Sequence, residues 1–182
     1  MSKGKLVVIS GASGVGKGTV LHEVMKRRGD ISFSVSATTR PPRSSEKDGV
    51  DYTFITREAF EEMIEKDMFL EYDNHAKHYY GTPRAQLEEK RAKGPVILDI
   101  EPKGAEIVRR EEPDAVLIFV MPPSMEELER RLRSRNDTSE EQIRLRMERA
   151  AWEIEQRYWY DYVVVNDTVD RCAQEILDII CQ

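Results

Sequence analysis

The stretch Leu6–Leu21 reads LVVISGASGVGKGTVL, a continuous apolar run followed by a glycine-rich segment that carries one lysine. Gly11, Gly16 and Lys17 stand at the spacing of the phosphate loop, G-x-x-x-x-G-K-[ST]. A run such as Gly11, Ala12, Ser13, Gly14, Val15, Gly16 between a strand and a helix leaves successive backbone N–H groups free to surround one anion, and the helix N-terminus adds partial positive charge. Lys17 is expected to reach the outer phosphates of a nucleoside triphosphate. An ordinary glycine-rich turn is the alternative, and the strand–loop–helix context speaks against it. The pattern asks for a hydroxyl directly after the lysine, but Gly18 stands there, with Thr19 one step later. Mg2+ gives up its water reluctantly and binds readily through substrate phosphates, so this loop still suits Mg2+ held by phosphate oxygens and water. Thr19 can hydrogen-bond an inner phosphate or approach the metal. Asp99 closes the apolar run PVILD; an acid at a strand's carboxyl end suits a water-mediated Mg2+ contact, with a turn or capping aspartate as the alternative.

A second set of chemically capable residues lies in SVSATTRPPRSSEKDGVDYTF (34–54) and FLEYDNHAKHYYGTPR (69–84). Arg40 and Arg43, three apart and followed by Tyr52, combine forked guanidinium donors with a hydroxyl, which suits a monophosphate; a solvated basic loop is the alternative. Pro41 and Pro42 hold the intervening chain extended. Glu71 follows two apolar residues and can point into a pocket. The guanine edge offers N1–H and an amino group as parallel donors; a carboxylate accepts both, and adenine supplies no such pair. Ser36 or Thr82 would serve guanine O6 or N7. An exposed strand glutamate is the alternative for Glu71, and Tyr80 and Thr82 nearby weigh against it. His75 and His78 lack a third metal ligand in their segment and read as exposed loop histidines.

These residues need elements to hold them. Leu6–Ser10, Pro95–Asp99, Ala115–Val120 and Tyr162–Asn166 read as strands buried on both faces, as in a parallel sheet. Helical patterns cover Lys17–Arg28, Pro83–Lys93, Lys103–Arg110, Ser124–Arg135, Ser139–Tyr158 and Val169–Cys181. The alternation predicts a doubly wound α/β sheet. Ser34 to Thr82 breaks the rhythm with short strands at Phe33–Ser36, Tyr52–Ile55 and Phe69–Tyr72 around a helix at Arg57–Lys66, which predicts a small insert with antiparallel pairing. The pair of helices over 124–158, dense in arginine, is a second insert.

Composition narrows the class. The chain has 182 residues, enough for one compact domain, with 40% hydrophobic and 34% charged residues. A net charge of −6 argues against binding a nucleic-acid polymer. Cys172 and Cys181 fit neither a zinc site nor a redox motif and read as free, part-buried thiols on a terminal helix, which predicts a cytoplasmic protein. The N-terminal apolar run is too short for a signal peptide, and no segment is long and apolar enough to span a membrane. No Ser–His–Asp or Cys–His arrangement is visible.

Taken together, the G-K-G-T loop, VSATTRPPR…DGVDYTF, FLEY…YYGT, VILDIE.KGA, PPSMEELERRLRSR and YDYVVVND resemble the guanylate kinases, from about Leu6 to Ile180 and in the same order. The resemblance implies a P-loop α/β core over 1–33, 83–123 and 159–182, a GMP-binding region over 34–82 and a lid over 124–158, all one domain. It implies transfer of the ATP γ-phosphate to GMP or dGMP with Mg2+, in a monomer or homo-oligomer. Residue by residue it places Ser36, Glu71 and Thr82 on guanine. Arg40, Arg43, Tyr52 and Tyr80 fall on the GMP phosphate, with Gly81 and Glu101 also on the GMP side. Arg135 and Arg146 fall on the transferring phosphate, and Asn166 and Asp167 near adenine. Arg130 and Arg133 remain solvated-face candidates paired with glutamates. The GMP phosphate is already an anionic nucleophile, so catalysis reduces to alignment and charge neutralisation by Lys17, Mg2+ and the arginines, with lid closure excluding water. Ala12, Ser45, Lys77, Glu101 and Pro102 depart from the family pattern, where proline, glycine, glycine, aspartate and a different residue are usual. A non-catalytic phosphopeptide-binding module of similar fold and a kinase for a phosphorylated sugar are the competing readings. The intact loop argues against the first and the guanine-reading set against the second.

Overall fold

The computed structural model describes residues 3–75, 77–134 and 139–182. In chain order the elements are β1 (Leu6–Gly11), α1 (Lys17–Arg27), β2 (Ser32–Phe33), β3 (Ala37–Thr38), β4 (Thr53–Phe54), α2 (Arg57–Glu65), β5 (Phe69–His75) and β6 (His78–Pro83). There follow α3 (Arg84–Arg91), β7 (Val96–Asp99), α4 (Pro102–Glu111), β8 (Val116–Met121), α5 (Met125–Arg133), α6 (Glu140–Glu155), a 3-10 turn at Gln156–Trp159, β9 (Tyr162–Val165) and α7 (Val169–Cys181). They group into two compact units. One holds the residues up to Leu6, Asp30–Asp99 and Lys103–Ala115; the other holds Val7–Gly29, Ile100–Pro102 and Val116–Gln182.

In the second unit, β8 lies between β1 and β9 and pairs with both in parallel, with Ile9 opposite Ile118 and Val120 opposite Val164. Val7, Val8, Ile9 and Leu117 to Val120 are fully buried, as continuous apolar strands in a parallel sheet must be. Helix α1 packs on α7, α1 burying Val20, Leu21 and Val24 and α7 burying Cys172, Ala173, Ile176 and Ile180. Serine and threonine caps start the other helices of this unit. Ser124 Oγ accepts from Glu127 N–H at 3.1 Å before α5, Ser139 and Gln142 form a capping box before α6, and Thr168 caps α7.

The first unit holds a parallel pair, β2 with β7, and a four-stranded sheet in the order β4-β3-β6-β5. Strand β6 pairs antiparallel with both neighbours, whereas β3 and β4 run parallel, so the pairing is mixed and not wholly antiparallel. Phe60 of α2 anchors this sheet: its ring stacks on Phe69 at 4.3 Å and on Tyr79 at 5.0 Å.

Three local expectations are corrected. The strand predicted at Phe33–Ser36 is two strands, since Ser32–Phe33 joins β7 and Ala37–Thr38 joins β4 and β6. Strand β6 was not foreseen, because His78–Pro83 mixes aromatic, glycine and polar residues without alternation. The long helix over 139–158 stops at Glu155 and tightens into the 3-10 turn. The two thiols are free, as expected, but divide: Cys172 is fully buried, with burial pushing its thiol up to about 12, and Cys181 is exposed. Among the described residues no helix is long and apolar enough to cross a membrane.

Lys77, one of the departures noted in the sequence, sits between β5 and β6 at φ 72°, a left-handed conformation that glycine adopts without steric cost. The L-residue penalty there is about 1–2 kcal/mol, partly offset by the greater entropy glycine would bring to the unfolded chain. Lys77→Gly is therefore expected to stabilise the protein by roughly 0.5–1 kcal/mol. A chemical denaturation midpoint that rises at unchanged slope checks this.

Candidate active site

The loop after β1 lines a cavity of about 340 Å³ formed by Gly11, Ala12, Ser13, Gly14, Val15, Gly16, Lys17, Gly18 and Thr19 together with Glu101, Arg149 and Glu153. Gly16 precedes α1 at φ 89°, where a side chain would be strained and its Cβ would lie 3.0 Å from the Asn166 amide nitrogen. No side chain caps α1 and no acid stands in its first turn, so the helix start carries no negative charge of its own. That is the arrangement an anion requires. Around Gly18 nothing lies within 4 Å of an added Cβ, so packing does not demand glycine there. Thr19 is exposed and Lys17 half-buried.

The loop is held by side chains from several other elements. Asn166 Nδ2 donates to the Val15 carbonyl at 2.8 Å, and Arg131 donates to the same carbonyl at 3.1 Å and to the Asn166 carbonyl at 3.0 Å. Glu153 Oε2 accepts the Ser13 N–H at 2.7 Å, while its Oε1 accepts from Arg149 Nε at 2.9 Å. Arg149 also pairs with Glu101. Asn166 is thus a buried brace for the loop. Asp167 is exposed and turns to Thr168 N–H and Arg171. Arg146 is half-buried on α6. Arg135 lies outside the described residues.

The second group belongs to the first unit. Glu71 is 5% exposed and accepts a 2.6 Å hydrogen bond from the Thr82 hydroxyl, the two facing each other across β5 and β6. The ladder shifts register between Phe69 and Glu71, and such a bulge re-aims the residues that follow it. The reading of Glu71 as an exposed strand residue is therefore wrong. Burial pushes its carboxyl up to about 7, opposed by the Thr82 hydrogen bond, with Asp73 adding a smaller upward effect. Among the described residues it has no ion-pair partner. Gly81 is buried beside it, where a Cβ would fall 2.9 Å from the Phe69 ring, so close packing alone excludes a side chain.

Arg40 is not a solvated loop residue either. Its side chain is 14% exposed, donates to Glu46 at 2.8 Å and lies 5.4 Å from the centre of the Tyr52 ring. Thr38, fully buried, fixes the backbone here by donating to the Tyr79 carbonyl at 2.9 Å and accepting the Arg40 N–H at 3.2 Å. Tyr52 meets Tyr80 edge-on at 6.0 Å, and its hydroxyl is pushed up by burial first and then by Asp99 and Tyr80, which places all three in one electrostatic environment. Arg43 is exposed, with its N–H on Glu46 Oε2 at 2.7 Å. Ser36 is half-buried and uses its carbonyl to bind Thr53 N–H at 2.9 Å. His75 ends β5 and His78 begins β6, so the pair flanks a hairpin turn and does not lie in an open loop. Four participants escaped the sequence reading: Arg131, Arg149, Glu153 and Glu46. Spacing could have found three of them, through Glu127–Arg131 and Arg149–Glu153 at i,i+4, whereas Glu46 pairs with Arg40 six positions away and carries no such signal.

A glycine-rich loop that follows a buried parallel strand and opens a helix makes this an α/β fold of the P-loop type. The guanylate kinase family model matches residues 3–182. The chain is 49% identical to a guanylate kinase of Thermus thermophilus over 98% of this chain and 81% of that protein. It is 48% identical to one from Prochlorococcus marinus subsp. pastoris over 97% of this chain and 96% of the other. The crystal structure of guanylate kinase from Anaplasma phagocytophilum aligns with a TM-score of 0.80 at 34% identity, covering 100% of this chain and 86% of that one. The chain belongs to the guanylate kinase family, enzymes that phosphorylate GMP using ATP.

Glu71 makes the stability of the nucleotide-free protein depend on pH. Its folded-state carboxyl titrates near 7 against an ordinary value of 4.5, so the native state binds the extra proton between those values. Stability from this group is greatest below about 4.5 and is lost as pH rises towards 7, on the order of 3 kcal/mol. Glu71→Gln removes that titration. Its unfolding free energy relative to wild type is expected to grow between pH 5 and roughly 7 and then level off, as paired denaturant titrations across pH would read.

Proposed function

We propose that the chain transfers the γ-phosphate of ATP to GMP and dGMP, with the donor triphosphate in the glycine loop and the acceptor recognised by Glu71 and its neighbours. The observation that carries the acceptor half is the buried Glu71 carboxylate. Burying a carboxyl without a cation is costly, and a perturbed acid of this kind marks a recognition or reaction site. Guanine N1–H and its amino group supply the two donors that the ionised carboxylate lacks. Thr82 already gives its hydroxyl proton to Glu71, so Ser36 is the better donor to guanine O6. Arg40, Arg43, Tyr52 and Tyr80 bind the acceptor phosphate, and Glu46 occupies Arg40 in its place until GMP arrives.

On the donor side, backbone N–H groups of the loop and Lys17 hold the β- and γ-phosphates. Asn166 acts through the loop as its brace, with Asp167 towards adenine. Arg43, Arg135 and Arg146 stabilise the charge that spreads during transfer. The donors available to Mg2+, the Thr19 hydroxyl and the Asp99 carboxylate through water, are the hard oxygens that ion prefers, and Mg2+ would supply neutralisation of phosphate charge. Residues 34–82 would serve as the GMP-binding region and 124–158 as the lid, around a core formed by the rest. Free thiols fit the cytoplasm as the working compartment.

Two substitutions test the assignment. Glu71→Gln is expected to raise KM for GMP by roughly 100-fold while changing KM for ATP little, because a charge-assisted pair of hydrogen bonds is lost only on the acceptor. Equal losses for both nucleotides would contradict it. Arg43→Met is expected to lower kcat by at least about 100-fold in a folded protein, from loss of one guanidinium on the transferring charge. Near-normal turnover would remove Arg43 from the phosphate clamp.

A further inference from the structure

Glu153 poses a problem for a loop that binds a polyanion. Its carboxylate is only 3% exposed, lines the same cavity as Gly11 to Thr19, and takes up the Ser13 N–H. A buried negative charge beside a triphosphate opposes binding, and burial strengthens the opposition by removing water. Arg149 stands one helical turn earlier on α6, with its Nε on Glu153 Oε1 at 2.9 Å and a terminal nitrogen on Glu101. Glu101 is one of the departures noted in the sequence. A glutamate extends one methylene further than the aspartate usual there, and here it meets Arg149 directly.

We propose that Arg149 is a positioning residue for the phosphate loop: it neutralises Glu153, so that this carboxylate can fix Ser13 without repelling the triphosphate of ATP. Glu101 holds a terminal nitrogen of the guanidinium and so keeps its plane on Glu153, so Glu101 serves the donor loop through Arg149. Arginine suits this role because its rigid fork donates to two carboxylates at once. The effect is directed at ATP, since each of these residues lies in the unit that carries the loop.

This inference rests on the reading that ATP occupies the loop. Direct binding of ATP, measured by calorimetry with the full chain, tests the two separately. Arg149→Met is expected to weaken ATP roughly 10- to 100-fold by leaving Glu153 charged and unpaired. The double variant Arg149→Met, Glu153→Gln is expected to recover most of that loss, because glutamine keeps the size of Glu153 and an oxygen for the Ser13 N–H but carries no charge. Arg149→Lys, which keeps the charge, should lose less than Arg149→Met. A packing role for Arg149 predicts no recovery in the double variant. Should Arg149→Met fold poorly, Arg149→Gln carries the same comparison. Recovery in the double variant supports the inference. A double variant as weak as the single one, or Arg149→Met binding ATP as wild type does, overturns it while leaving the donor-site reading intact. Wild-type protein that bound no ATP would overturn both.

Discussion

The donor half of this enzyme depends on keeping a row of backbone N–H groups open to an anion. Backbone donors in a folded protein are normally consumed by carbonyls or by capping side chains. Here α1 begins without a side-chain cap and without an acid in its first turn. The loop is kept in shape by side chains from other elements, one of which, Glu153, lines its cavity. The Val15 carbonyl receives both Asn166 and Arg131, and the Ser13 N–H goes to Glu153. These contacts come from β9's end, α5 and α6, so elements remote in sequence set the geometry of a short glycine run. In the arrangement proposed for the cavity, the acid that accepts the Ser13 N–H is cancelled by Arg149.

The acceptor half obeys an opposite logic. Glu71 is buried where its own ionisation is discouraged, held by the hydroxyl and the backbone N–H of Thr82 and by no cation among the described residues. A buried carboxyl without a cation gains from a ligand that brings it two N–H donors, which is the basis of the proposed guanine contact. The aromatic cluster of Phe60, Phe69 and Tyr79, the close approach at Gly81 and the bulge before Glu71 all serve to place that carboxylate. Nearby, Glu46 neutralises Arg40, and under the proposed function an incoming phosphate would replace that carboxylate.

Much of this was legible in the sequence. The loop, the buried parallel strands β1, β7 and β8 and most helices follow from apolar period, capping residues and the glycine spacing, which are local signals, whereas β9, read as buried on both faces, leaves Tyr162, Val163 and Val165 exposed. Glu71 and Thr82 were readable as chemistry, though their direct bond was not, because it depends on a strand pairing across eleven positions and on a bulge. Strand β6 was missed since aromatic packing, not alternation, makes it a strand. The braces Arg131, Arg149 and Glu153 were hidden for another reason: on a helix rich in Glu–Arg pairs, nothing local separates a solvated pair from one that reaches a loop over a hundred residues away.

The central claim is that a buried carboxylate selects guanine as the base of the acceptor for a phosphate held in the glycine loop. A coupled assay of the wild-type chain with ATP as donor and GMP, dGMP, AMP, UMP and CMP offered singly as acceptors tests it most directly. The account predicts phosphorylation confined to GMP and dGMP. Comparable turnover of AMP, whose base lacks the paired donors, would contradict it.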